Sequence, residues 1–229
     1  AYATGAGDRW NFEAFGSNLI AVNGTDVPQV VDADSGANFA ALAGSPPVAK
    51  YIAVIREFVF LGGLAGNEKR VKWCANGDIE EWTDGTGESD FQDIPNGGPV
   101  RGLIGGETGY TFQANRVTRM TYDAGSDLIF RFDEVEGGVG LSGPHSLVRL
   151  RNDAFYLAPD GLRKISLGSL QSTPIGIGKF ARWFSSDIKA GTELTVIGAA
   201  HPVKPLIAWA YVSKSNATSR TNRVLFYDW

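Results

Sequence analysis

The sequence predicts an all-β fold, a β-propeller or part of one, from three observations. Short apolar runs alternate with polar turns along the whole chain. The 229 residues include 29 glycines and ten prolines, spread between these runs rather than gathered in one tract, which is typical of many short strands joined by turns. A two-strand hairpin pattern also recurs five times, at about the spacing of four-stranded propeller blades.

Five repeat units align on one apolar residue in the first strand of each hairpin. The aligned residues are Ile20, Phe60, Phe112, Phe155 and Trp209, which lie 40 to 54 residues apart. Loop insertions explain the unequal spacing. We therefore predict a single propeller domain over 1–229, or a fragment of a larger one. Its units of up to four antiparallel strands are expected roughly at 9–42, 47–94, 99–135, 145–175 and 194–229.

Each unit is built around a hairpin, with further strands before and after it. The hairpins are predicted to pair 19–22 with 29–31, 58–61 with 70–73, 110–112 with 116–120, 154–157 with 162–165, and 206–210 with 223–227. Flanking strands are predicted at 10–15, 38–42, 51–55, 90–94, 100–104, 129–135 and 146–150. Apolar and polar residues alternate in 129–135, which predicts one buried face. The nearly continuous apolar run 54–61 instead predicts strands buried on both faces.

One segment, 178–187, has helical periodicity, because Phe180, Trp183 and Phe184 fall on one face of a helix. We expect a short helix there, between the fourth and fifth units. The fifth unit ends one strand short of four. Either residues 1–8 supply the missing strand or more chain follows in a longer parent protein, and we favour the second because the last residue lies inside an apolar strand.

Composition excludes several classes of protein. A formal net charge of -4 argues against a general nucleic-acid binder, because phosphate affinity comes from clustered Lys and Arg. Cys74 is the single cysteine, so the chain has neither an internal disulfide framework nor a thiolate metal site. No apolar run is long enough to predict a membrane span. The sequons at Asn23 and Asn216 are interpreted as turn sequences.

No catalytic, cofactor-binding or metal-ligating residue is predicted, and we expect a protein that is not an enzyme. His145 and His201 each lie beside a proline in a turn, without ligand-type neighbours at metal spacing. Segment 140–143 lacks the pattern of a serine nucleophile elbow. The glycine-rich segments 62–66 and 105–109 are predicted to be hairpin turns with positive φ, not phosphate cradles. Segment 32–38 resembles the start of a calcium loop but lacks its distal Glu.

A cluster of carboxylates surrounds Trp82 in a long predicted loop. Its members are Asp78, Glu80, Glu81, Asp84, Glu88 and Asp90. Such a cluster can supply the acid and base of a glycosidase, but a solvated loop surface is the more common interpretation. Segment 76–82 comes nearest to the repeated Asp-box of sialidase propellers and departs from it. The chain's aromatic residues are interpreted as core rather than as a sugar-stacking surface.

Several segments resemble structural proteins of tailed bacteriophages. The opening 10–29, WNFEAFGSNLIAVNGTDVPQ, is similar to one found in that group. The other similar segments are 46–51, 71–73 leading to 81–82, 91–94, 112–122 and 155–161. Together they extend over most of the chain, although no single motif is diagnostic.

The resemblance implies a β-propeller virion protein of the tail, similar to the nozzle or hub proteins of short-tailed phages. Such proteins form rings, often of six copies, around the tail axis. The implied partners are further copies of the chain, other tail or portal-adaptor proteins, and phage DNA that passes through without sequence-specific binding. The chain would be made in the host cytoplasm and incorporated into the virion. Loops 76–90 and 212–222 would make the contacts with neighbouring subunits and other partners.

Two other functions stay open at this point. A receptor- or carbohydrate-binding tail propeller, including a glycosidase-like one, predicts a pocket of exposed aromatics and carboxylates, with Trp82 and Glu81 as the residues to test. An intracellular interaction scaffold predicts a monomer with a closed ring of blades.

Overall fold

The computed structural model describes residues 2–4 and 9–228, which form nineteen β-strands, one α-helix and two short 3₁₀ segments. The strands are β1 (Asn11–Phe15), β2 (Asn18–Val22), β3 (Gln29–Asp32), β4 (Ala40–Ala41), β5 (Ala49–Ile55), β6 (Phe58–Leu64), β7 (Asn67–Trp73), β8 (Asp90–Asp93), β9 (Val100–Ile104), β10 (Thr108–Gln113), β11 (Val117–Tyr122), β12 (Phe130–Glu134), β13 (Val148–Leu150), β14 (Asp153–Ala158), β15 (Gly161–Ser166), β16 (Ser172–Pro174), β17 (Ile197–Ala200), β18 (Leu206–Tyr211) and β19 (Arg223–Asp228). The helix α1 spans Ala181–Asp187, and the 3₁₀ segments span Pro144–Ser146 and Glu193–Thr195.

Each sheet is built from strands that follow one another in the chain. Four sheets have four strands each, β1 to β4, β5 to β8, β9 to β12 and β13 to β16, and the fifth is formed by β17, β18 and β19. Neighbouring strands pair antiparallel. Sheets of this kind are the blades of a β-propeller. The predicted all-β propeller fold, with five repeat units and one short helix, is confirmed.

The hairpins form where the paired apolar runs and their turns predict them. In the fourth sheet, β14 pairs with β15 from Asp153 opposite Ser166 to Ala158 opposite Gly161. The helix is shorter than predicted, and one feature of its predicted apolar face is wrong. Phe184 is buried and Phe180 packs against the same core, but Trp183 is 47% exposed. A helix of two turns has a narrow inner face, which Phe184 occupies, so Trp183 is left at its margin.

The chain divides into two compact units, and the first contains Ala1–Gln113 and Arg119–Phe132. Strand β6 is buried along its whole length. Val59 and Leu61 belong to one apolar cluster, with residues of the first two sheets, whereas Phe58 and Phe60 belong to a second. This arrangement confirms the prediction of strands buried on both faces.

The prediction for the two glycine-rich segments is partly wrong. Gly66 does lie in a hairpin turn with positive φ, but Gly63 (φ +64°) lies within β6, where the register with β7 shifts and forms a bulge. A Cβ on Gly105 would lie 1.8 Å from the Val54 carbonyl oxygen. Gly105 is therefore required by the close approach of β5 rather than by a turn.

The second unit contains Ala114–Thr118 and Asp133–Trp229. Its apolar core includes Phe155, Phe184 and Trp209. A buried polar network also ties β14, β15 and β16 together, since Arg163 Nε donates to Ser172 Oγ (3.1 Å) and Arg163 Nη2 donates to the Ser172 carbonyl (3.0 Å). The Tyr156 hydroxyl lies 2.6 Å from the same Oγ. Burial raises the pKa of Tyr156, so its phenol stays protonated.

Residues 2–4 lie in no strand and contact the first sheet. The Tyr2 hydroxyl donates to Gln29 Oε1 (3.3 Å), and the Ala3 N–H donates to Asp26 Oδ2 (3.0 Å). The less favoured alternative, in which residues 1–8 supply the missing strand, falls partly on residues 1 and 5–8, which lie outside the described residues. In the part of the chain that is described, no helix is long and apolar enough to cross a membrane.

Candidate functional site

The predicted contact loop 76–90 is held by hydrogen bonds to the end of β7. Trp73 Nε1 donates to the Glu88 carbonyl (2.8 Å), and Ser89 Oγ donates to the Trp73 carbonyl (2.9 Å). Trp82 is buried in an apolar cluster, and its Nε1 donates to the Ile79 carbonyl (2.7 Å). A buried ring has no open face for a sugar. The sugar-binding interpretation of Trp82 is therefore wrong.

The carboxylates of this loop accept hydrogen bonds from backbone N–H groups in its turns or pair with a lysine. Asp78 Oδ1 accepts the N–H of Glu80 (2.9 Å), and Asp84 pairs with Lys72. Glu81 Oε1 accepts the N–H of Thr83 (2.7 Å). Hydrogen bonds from the Thr83 side chain and backbone lower the pKa of Glu81, which therefore stays ionised rather than serving as a general acid.

Glu88 fixes one end of the loop through several polar contacts. Its carboxylate accepts hydrogen bonds from the Tyr122 hydroxyl (3.1 Å) and Asn76 Nδ2 (2.8 Å). The hydrogen bond to Glu88 raises the pKa of Tyr122, and the Arg56 guanidinium lies 4.9 Å from the centre of the Tyr122 ring. Glu88 has a φ of +69°, a conformation that persists in a non-glycine residue when its surroundings determine it. The loop therefore presents a preformed surface.

Cys74 lies at the base of this loop, and we expect its thiol to be unreactive in the folded protein. The thiol is fully buried and Sγ accepts the N–H of Val59 (3.1 Å). Burial raises the pKa of Cys74 from 9.0 to about 11. A thiol-specific reagent near neutral pH should label Cys74 only after a denaturant is added, because the thiolate is the reactive form.

The raised pKa of Cys74 also predicts a stability change at alkaline pH. The folded chain holds the thiol proton more tightly than the unfolded chain, so this contribution is complete below pH 9.0 and is lost as the pH rises towards 11. The free energy of unfolding of Cys74→Ala should fall less steeply over that range. Equal slopes for the two proteins, or rapid labelling of the native thiol, would contradict the prediction.

The histidines and the calcium-like segment serve local turns. His201 Nδ1 accepts the N–H groups of Val203 (3.1 Å) and Lys204 (3.0 Å). Asp32 Oδ1 accepts the N–H of Asp34 (3.0 Å). His145 lies in the first 3₁₀ segment. Over residues 2–4 and 9–228, no group of three His, Cys, Asp or Glu side chains is placed to hold a metal ion.

The second predicted contact loop, 212–222, joins β18 and β19. Asn222 Oδ1 accepts the N–H of Ser213 (2.8 Å), and Asn216 Nδ2 donates to the Arg220 carbonyl (2.7 Å). Lys189 Nζ donates to the Asn216 carbonyl (3.0 Å). These bonds order a loop in which Val212 and Ser213 are buried and most later side chains, including those of Lys214 and Arg220, are exposed.

A pocket lined by aromatic side chains opens on the first sheet. Its volume is about 150 Å³, and we call it the aromatic pocket. The walls are the rings of Tyr2, Trp10, Phe12 and Phe39, and the buried side chains of Ala21 and Gln29 form the base. The rings of Tyr2 and Trp10 lie 5.1 Å apart, and those of Phe12 and Phe39 lie 6.3 Å apart. Phe12 is nevertheless 51% exposed.

An apolar surface also lies on the fifth sheet, where β19 exposes Val224 and Phe226. Phe226 is 65% exposed. The two residues lie opposite Ala210 and Ala208 of β18. We call these four residues the β19 face. Leu225 and Tyr227, which alternate with them, pack against the core of the second unit.

Sequence reasoning missed both apolar surfaces, although a signal for each is present. Segment 10–15 and β19 carry large apolar residues on both faces of the strand: Phe12 and Phe15 in the first, Phe226 and Tyr227 in the second. Such a pattern, taken alone, predicts core. In the structure one face of each strand meets solvent, and large exposed apolar side chains of this kind are typical of interaction sites.

A basic surface with an exposed indole precedes and includes α1. Ile177, Lys179, Arg182 and Trp183 are all exposed. Among the described residues, neither cation forms an ion pair with a carboxylate. We call this group the basic–indole surface.

Comparison with known proteins shows the fold and leaves the family open. No family model matches the chain, and no curated protein matches it. Among solved structures, the dihydro-heme d1 dehydrogenase NirN in complex with DHE matches with a TM-score of 0.50 and 11% identity, over 98% of this chain and 47% of that one. At this identity, the likeness concerns the fold alone.

Other propeller structures match with lower scores. The β-propeller domain of Cps50 (Swd1) from Myceliophteria thermophila has a TM-score of 0.48 and 10% identity, over 96% of this chain and 70% of that one. The computationally designed Ika8 protein has a TM-score of 0.47 and 15% identity, over 71% of this chain and 47% of that one. The chain spans about half the length of the NirN and Ika8 chains that it matches.

Proposed function

We propose that this chain is a non-enzymatic structural protein of a bacteriophage tail, of the nozzle, hub or adaptor type, which forms a ring around the DNA channel. The observation that carries the proposal is the exposure of large apolar side chains at the aromatic pocket and on the β19 face. Such surfaces are typical of proteins that bind other protein subunits. The propeller fold and the resemblance of segment 10–29 to tail proteins support the same role.

The proposed partners follow from the surfaces of the chain. The ordered loops 76–90 and 212–222 would contact neighbouring copies and other tail or portal-adaptor proteins. DNA would pass the ring without tight binding, which agrees with the net charge of -4, because tight phosphate contacts need clustered cations. On this proposal the chain is made in the host cytoplasm and functions in the virion.

Electron microscopy of purified virions that carry this chain tests the proposal directly. Gold-labelled antibodies raised against the purified chain should bind at the tail, below the capsid. Virions of an unrelated phage, whose genome does not encode this chain, serve as the control for antibody specificity. Label on the capsid shell, or virions that contain none of the chain, would overturn the tail assignment.

A second candidate function is recognition of an anionic glycan on the host surface, and the basic–indole surface favours it. An exposed indole can stack on a sugar ring, and unpaired cations attract phosphate or carboxylate groups. The relevant residues are Trp183, Lys179 and Arg182 rather than the buried Trp82.

Binding of purified chain to phosphorylated bacterial surface glycans tests this second candidate. Trp183→Ala should weaken binding at least about tenfold, since stacked aromatics are common hot spots. Leu194→Ala removes another exposed apolar side chain and should leave binding unchanged. Equal binding by the wild type and Trp183→Ala would exclude this surface.

A further inference from the structure

We propose that copies of this chain associate head to tail, with Phe226 of one copy inserted into the aromatic pocket of the next. The inference rests on the proposed function in one respect, because this contact would be the one that closes the tail ring.

The aromatic pocket has the size and lining to receive one aromatic side chain. An apolar cavity of about 150 Å³ holds a molecule of the size of benzene, and the pocket has that volume. Its surface is almost entirely apolar, which disfavours a sugar or a phosphate as the occupant. The one polar side chain at the base, Gln29, is already bonded, since its Nε2 donates to the Val27 carbonyl (2.8 Å) and its Oε1 accepts from Tyr2.

The β19 face offers the matching side chain. Phe226 projects from the strand with most of its ring in solvent, and Val224 lies beside it on the same face. The opposing residues of β18, Ala208 and Ala210, are small. The phenyl ring therefore protrudes from a surface of small apolar side chains, against which a sheet of the partner can pack.

The two surfaces are compatible in charge as well as in shape. The residues that line the aromatic pocket and those of the β19 face carry no formal charge, so their contact would bury no unpaired ion. Both are faces of β-sheets, which pack on each other through apolar side chains. Within the first unit, the first two sheets already share an apolar cluster through residues such as Val22 and Leu61.

A contact between two different surfaces of the same chain has a defined consequence for assembly. Each copy then has one inserting surface, the β19 face, and one receiving surface, the aromatic pocket. Successive copies therefore form a closed ring or an open filament. This geometry favours a second copy of the chain as the occupant, since one sequence supplies both halves of the contact. With a different protein partner, or with closure within one chain, the purified chain would stay monomeric at every concentration.

Mixing two complementary variants tests the contact. Phe226→Asp removes the inserted ring and Phe12→Asp disrupts the aromatic pocket. Each variant alone should therefore be monomeric in size-exclusion chromatography with light scattering. Wild type should form larger species whose mass rises with concentration. An equimolar mixture of the variants should form a dimer and nothing larger, because the intact β19 face of Phe12→Asp can meet only the intact aromatic pocket of Phe226→Asp. Leu128→Asp, at an exposed residue outside every surface named above, should assemble as wild type does.

The outcomes are decisive in both directions. Monomeric wild type at every concentration, variants that still assemble, or a mixture that stays monomeric would each overturn the proposal. Circular dichroism reports whether the variants fold, and the milder pair Phe226→Ser and Phe12→Ser replaces any that do not, with an expected loss of affinity of at least about tenfold. Monomeric protein with antibody label on the tail refutes the contact alone, whereas assembly with label elsewhere refutes the proposed function alone.

Discussion

Replacing Phe130 with alanine is expected to lower the free energy of unfolding by about 3–5 kcal/mol. The ring is buried at the centre of an aromatic cluster, with centroid distances of 5.1 Å to Phe58, 4.8 Å to Phe60 and 5.3 Å to Trp73. All three pairs are edge-to-face, a favoured geometry that adds to the stabilisation from simple burial. Truncation leaves a cavity that these rigid rings cannot fill.

Leu128→Ala provides the matched control for Phe130→Ala, because Leu128 lies two residues away and is 69% exposed. We expect this change to alter the free energy of unfolding by less than about 0.5 kcal/mol. Urea unfolding, followed by tryptophan fluorescence, measures both variants. Similar losses for the two would show that Phe130 does not organise the first unit's core.

Gly44→Ala should destabilise the chain by about 2–5 kcal/mol, which combines backbone strain with overpacking. Gly44 has a φ of +77°, and a Cβ there would lie 1.6 Å from the carbonyl oxygen of Glu80. The clash is with backbone, which cannot rotate away. Insertion of the methyl group must therefore displace loop 76–90 or the connection between β4 and β5.

Gly36→Ala separates the two causes of this loss. Gly36 has a similar φ of +65°, but a Cβ there would meet no atom within 4 Å. Its replacement should cost only the strain of the left-handed conformation, about 1–2 kcal/mol. Thermal unfolding of both variants gives the comparison. Equal losses at Gly36 and Gly44 would mean that loop 76–90 does not press on Gly44.

Local patterns in the sequence were sufficient to predict the blades. The hairpin between β14 and β15 follows from two short apolar runs around a tight turn, and β6 follows from a continuous apolar run. These features depend on side-chain period and turn chemistry within a few residues, so neighbouring positions contain the information. The phage-tail role is different, because it depends on resemblance and stays a proposal.

The placement of individual side chains depended on contacts between distant segments. Trp82 and Trp183 have the same chemistry, yet the fold buries the first, which lies in loop 76–90, in an apolar cluster and exposes the second on α1. Phe12 and Phe226 belong to strands with large apolar residues on both faces, a pattern typical of core, but each side chain lies on a sheet face that nothing in the described chain covers. Sequence alone therefore specified which strands form and pair, because pairing is local. Only the tertiary structure decided which apolar faces are core and which are open for binding, because burial depends on whether another sheet lies against the face.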